Sequence, residues 1–69
     1  MLHEHDVVTV TVDLPDLGLI AGDVGAVVHC YADQKTYEVD VIDEHGRSKG
    51  VVTVEGQRLL RLNLSSLVA

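Results

Sequence analysis

The segment VVTVTV, Val7 to Val12, sets Val8, Val10 and Val12 against Thr9 and Thr11. Side chains that change polarity at every step belong to a strand with one face buried, because successive Cβ atoms of a strand point to opposite faces. The same period of two recurs along the chain. From Val24 to Tyr31 it puts Val24, Ala26, Val28 and Cys30 on one face and Val27, His29 and Tyr31 on the other. In TYEVDVI, Tyr37, Val39 and Val41 oppose Glu38, Asp40 and Ile42. GVVTV, Gly50 to Val54, forms a fourth short strand. The end, RLLRLNLSSLVA, reads equally as a closing strand or a short helix, so 57–69 stays open between the two.

The breaks between these segments are as informative as the segments. DLPDLGLIAGD interrupts the alternation with Pro15, which cannot donate to a ladder, and with Gly18 and Gly22. It predicts a long loop anchored by Leu14, Leu17, Leu19 and Ile20. Turns follow at ADQK, DEHGR and EGQ, and Gly46 supplies the positive φ that a tight hairpin needs. The hairpin register stays open: one choice sets Asp40 opposite Lys49, another Glu44 opposite Arg47. Five short strands, a long loop after the first and tight turns thereafter predict an all-β fold, a small five-stranded SH3-like barrel. Closure would remove the edge strands that otherwise pair with other chains. The whole chain, 1–69, reads as one such domain.

Gly22 and Gly25 frame the short run GDVG. A phosphate-gripping loop uses glycines to let backbone N–H groups approach an anion and then opens into a helix. Here a strand pattern follows, and Asp23 stands where the anion would sit. The pair therefore reads as a structural corner entering a strand, with Gly22, Gly25 and Gly46 as turn residues.

Length and charge remove many functions. A chain of 69 residues buries only about 60% of its unfolded surface, which leaves one thin core and no deep pocket. No apolar run approaches the roughly 18 residues of a membrane helix. The start, MLHEHD, lacks the basic and apolar regions of a signal peptide, and the single Cys30 forms no internal disulfide, so the expected compartment is the cytoplasm. The net charge is −6, and the carboxylates of Glu4, Asp6, Asp13, Asp16, Asp23 and Asp33 all precede the first basic residue, Lys35. That field disfavours phosphate backbones and anionic membranes and steers basic partners to the N-terminal half. It also serves plain solubility. Tyr31 and Tyr37 are the only aromatic rings besides histidine, too few for a proline-peptide groove, a methyl-lysine cage or a base-stacking platform.

Catalytic and metal chemistry find little support. His3 and His5 share one side of an extended HEHD segment and, with Asp6, are the weak candidates for a metal site. A structural zinc wants four ligands, and no third or fourth is indicated. His29 and Cys30 are neighbours in sequence but point to opposite faces of a strand, which separates a nucleophile from its base. Cys30 reads as a small core hydrophobe and His45 as a solvated turn residue. The chain is not expected to be an enzyme, and no cofactor or metal is expected.

The residues Asp6-Val7-Val8, Leu14-Pro15, Gly18-Leu19, Gly22-Asp23-Val24-Gly25, Val27-Val28, Tyr37-Glu38-Val39, Asp43 with Gly46-Arg47, and Gln57 with Leu59 keep a particular order and spacing. In these the chain resembles a family of short bacterial proteins catalogued as domain of unknown function 4926. The motifs are turns and core positions, and they span nearly the whole chain. The resemblance implies an SH3-like barrel and no catalytic residues; the paired gene arrangements of such families imply an antitoxin-like small partner. Where the family tends to carry an acidic residue and an aromatic, this chain has Asp40-Val41. A looser similarity, to the KOW motif, rests on Gly22, Gly25 and Val27. KOW loops carry bases toward RNA; this one carries Asp16 and Asp23, so a nucleic-acid module would have to rely on Arg47, Lys49, Arg58 and Arg61.

A surface for another protein remains. Glu38, Asp40 and Ile42 share the outward face of the third strand, beside His29 and Tyr31 of the second. The set predicts a docking face for a protein with a basic surface, Tyr31 and Ile42 anchoring and the acids steering. The alternatives are an ordinary solvated sheet face, the KOW-like module, and a homodimer through Leu59, Leu60, Leu62, Leu64, Leu67 and Val68.

Overall fold

A computed structural model describes residues 2–63. Five strands form one antiparallel sheet: β1 (Val7–Val10), β2 (Val24–Cys30), β3 (Thr36–Ile42), β4 (Ser48–Glu55) and β5 (Leu59–Arg61). Their order is β4-β3-β2-β1-β5. Short 3-10 turns at Pro15–Leu17 and Gly56–Arg58 are the only helical pieces among the described residues. The fold is all-β, as the alternation predicts. Among the described residues the sheet is not closed into a barrel: β4 and β5 lie at the two ends of the sheet order, joined by the Gly56–Arg58 turn rather than paired. Of the open segment 57–69, Gln57 and Arg58 finish a 3-10 turn and Leu59–Arg61 is strand, while Leu64, Leu67 and Val68 lie outside the described residues.

The core is a row of alternate residues. Val8 and Val10 of β1, Val27 of β2, Tyr37, Val39 and Val41 of β3 and Val54 of β4 are buried together with Leu19 from the long loop. Val41 occupies the place where the family resemblance favours an aromatic, and it is fully enclosed. Leu14 pairs with Leu19 across the loop and packs at the core's margin. Leu17 and Ile20 are exposed, so only half of the expected loop anchors hold it down. β1 stops at Val10, and Val12 beyond it is 41% exposed rather than buried.

β2 departs most from its sequence pattern. Val27 pairs with Val39, but the next pair is His29 with Glu38, so Val28 is the extra residue of a β-bulge. The bulge leaves Val27 wholly buried opposite Val39 and Val28 44% exposed. It also resets the period, returning His29 to the outer face and Cys30 to the core side opposite Tyr37.

The hairpin takes neither expected register. The Asp43 amide donates to the Arg47 carbonyl at 2.8 Å, and Asp40 faces Val51. A second bulge, at Lys49, shifts the ladder between Val41 opposite Gly50 and Ile42 opposite Ser48. Gly46 does take a positive φ, 78°, in the turn. Gly22 turns the corner with φ 98° and donates to the Val10 carbonyl at 2.8 Å. Gly25 is no corner residue. It lies inside β2 opposite Val41.

Candidate functional site

The register assembles the expected face. His29 stands opposite Glu38, Ala26 opposite Asp40 and Val24 opposite Ile42, so all three outward residues of β3 share the surface with His29. Tyr31 joins them just past the end of β2, its amide donating to the Thr36 carbonyl at 3.0 Å. The phenol of Tyr31 donates to Glu38 Oε1 at 2.5 Å. The His29 and Tyr31 rings meet edge to face, with centroids 4.8 Å apart. The Glu38 hydrogen bond, and then burial, raise the Tyr31 phenol above its ordinary value, because a phenolate there would face a carboxylate.

Asp40 is held separately, accepting from the Ser48 hydroxyl at 2.5 Å. Ser48 in turn accepts from the Gly50 amide at 3.2 Å, across the second bulge. Both acids of the face are therefore ordered by neighbours. Ile42 is 37% exposed and Val51, opposite Asp40 on β4, is 56% exposed. Val51 was not among the expected site residues. The alternation of Val51, Thr53 and Glu55 in VVTVE is the signal that places it on the outer face. Tyr31 is half-buried and its hydroxyl is engaged, which leaves Ile42 and Val51 as the open apolar positions.

The other candidate chemistries do not assemble. The HEHD segment is a turn rather than extended, with His5 at φ 74° and the Asp6 amide donating to the His3 carbonyl, so the geometry that aligned His3 with His5 is lost. Among the described residues no group of three or more His, Cys, Asp or Glu side chains is arranged for a metal ion. Asp6 instead accepts from the His3 amide at 2.8 Å and meets Arg61 at 3.3 Å, and these contacts hold its carboxyl below the ordinary range. The basic residues that a nucleic-acid module needs are largely matched: Lys49 lies 3.9 Å from Asp23, Arg58 3.8 Å from Glu55 and Arg61 3.3 Å from Asp6. Asp23 also accepts from the Ile20 amide at 3.0 Å, which closes the corner at Gly22 within the chain. A hollow lies beside Leu2, Lys35, Tyr37, Glu55 and Leu59. A shallower dip borders Tyr31, Asp33, Thr36 and Thr53.

A family model, Domain of unknown function (DUF4926), matches residues 4–61. The chain belongs to this family. The DUF4926 match ends with β5, so it takes in all five strands and the whole outer face. No curated protein and no solved structure matches the chain. Among the described residues no helix is long and apolar enough to cross a membrane.

Proposed function

We propose that the protein is a non-catalytic binding module of the cytoplasm whose outer β2–β3 face docks a protein with a basic surface. The sheet is of the SH3-like barrel kind, open along one seam. The observation that carries the reading is the grouping of Glu38 and Asp40 on adjacent outward positions, flanked by His29, Tyr31 and the exposed Ile42. Carboxylates ordered by Tyr31 and Ser48 present fixed acceptors, and preorganised acceptors lose less entropy on meeting Lys or Arg. An antitoxin-like role, as the small member of a two-gene pair, fits a module of this size with an acidic face.

The test is affinity capture from nuclease-treated native lysate, repeated with Glu38→Lys/Asp40→Lys. A stoichiometric basic protein that is lost with the reversal, while circular dichroism stays unchanged, supports the docking face. Capture that survives the reversal overturns it. A KOW-like reading requires salt-dependent retention of RNA or DNA, and the pairing of Lys49, Arg58 and Arg61 with carboxylates argues against it.

A further inference from the structure

Among the described residues β4 is the longest strand, eight residues, and it ends the sheet order with only β3 beside it. The direction of its backbone groups follows from its neighbours. The Gly56 amide donates to the Lys35 carbonyl at 2.7 Å, and the Asp43 amide donates to the Arg47 carbonyl at 2.8 Å. Lys35 and Asp43 therefore face β4, while Thr36 accepts from Tyr31 on the β2 side. Alternation along an antiparallel ladder then turns Tyr37, Val39 and Val41 toward β4, where they meet Val54, Val52 and Gly50. The intervening Val51, Thr53 and Glu55 direct their N–H and C=O groups to the open side.

Natural sheets guard such an edge with proline, charges or a bulge. β4 has no proline, and its bulge, at Lys49, affects only the first part of the strand. From Val51 to Glu55 the run VVTVE is regular and rich in β-branched residues. Its two charges, Lys49 and Glu55, lie symmetrically about Val52.

We propose that β4 pairs antiparallel with β4 of a second copy of this chain, about a two-fold axis at Val52. That register sets Val52 against Val52, Val51 against Thr53, Gly50 against Val54 and Lys49 against Glu55. Each cross-strand relation occurs twice, as an isologous interface requires. Shifting the axis to Val51 or Thr53 leaves Lys49 opposite Thr53 or Gln57, so this register alone matches both charges of the strand. The contacts that Lys49 and Glu55 make within one chain, to Asp23 at 3.9 Å and to Arg58 at 3.8 Å, are long and exposed and yield readily to a cross-strand partner. Val51, 56% exposed, gains a neighbour on the outer face. The pairing joins two five-stranded sheets edge to edge and leaves the Glu38 and Asp40 positions of each copy open. It does not depend on the docking face proposed above.

Sedimentation of the full chain from about 10 μM to about 1 mM tests it, since edge pairing over a few residues predicts affinities in that range. Three variants accompany the wild type. In Thr53→Pro the missing N–H is one that points away from β3, so the monomer's ladder is kept while the dimer weakens about tenfold or more. Lys49→Glu sets like charges opposite each other twice and weakens the dimer about tenfold; Lys49→Glu/Glu55→Lys returns it to within about threefold of wild type. The charge series decides alone if the proline variant does not fold. A wild-type monomer at every concentration overturns the proposal, as does a dimer indifferent to the Lys49→Glu reversal.

Discussion

A methyl group at Gly25 would stand 2.6 Å from the Asp40 carbonyl oxygen and 2.7 Å from Cγ1 of Val39. The φ of Gly25 is not positive, so the constraint is space and not conformation. Gly46 is the converse: open space surrounds it, but its φ is 78°. Gly25→Ala is expected to lower the unfolding free energy by about 2 kcal/mol through overpacking against β3. Gly46→Ala is expected to cost about 1 kcal/mol through left-handed strain. Urea unfolding at constant m separates the two. A Gly25→Ala variant as stable as wild type would mean that β2 and β3 can separate without cost. In the sequence Gly22 and Gly25 look like one device. They answer to two different demands, and only the approach of β3 reveals the second.

At the scale of elements, the bulge in β2 decides what reaches the surface. Continued without a break from Gly25 and Val27, the period of two would turn His29 inward and Cys30 outward, the reverse of what the register does. Val27→Ala is expected to cost about 2 kcal/mol, because its side chain is fully enclosed and leaves a cavity. Val28→Ala should stay within about 0.5 kcal/mol, as exposed substitutions do. Chemical denaturation of the two variants side by side checks the ranking, and equal losses would mean that Val27 is not the enclosed member of the pair. The same insertion keeps His29 outward, so the candidate face depends on a local irregularity that no alternation count contains.

For the whole molecule, the charge and hydrogen-bond pattern predicts stability limits at both ends of the pH scale. The His3 amide, reinforced by Arg61, lowers Asp6; the Lys35 amide and Thr36 hydroxyl lower Asp33. The folded protein holds these protons less tightly than the unfolded chain does. Their stabilisation is present above the ordinary carboxylate range and is lost as pH falls through it. Tyr31 is raised, so its contribution is present below the ordinary tyrosine value and is lost as pH rises past it. Thermal melts against pH should decline on both limbs, with Asp6→Asn flattening the acid limb and Tyr31→Phe the alkaline one. Limbs unchanged by either substitution would show that these contacts do not set the limits. The open sheet adds a second molecular property, the β4 edge and its self-complementary charges.

The sequence by itself determined the strands, the turns at Gly22 and Gly46, the buried row in β3 and the family, because these rest on a local period and on turn chemistry. It determined as well that Glu38, Asp40 and Ile42 share one face, since they are alternate residues of one regular strand. Tertiary structure alone decided that β5 lies beside β1, where the ladder slips at Val28 and Lys49, and that β4 and β5 do not pair with each other among the described residues. Each of these depends on contacts between residues distant in the chain. A register shift of one residue moves every side chain to the other face while leaving the local pattern unchanged. For that reason the open edge of β4 becomes visible only once the sheet is assembled.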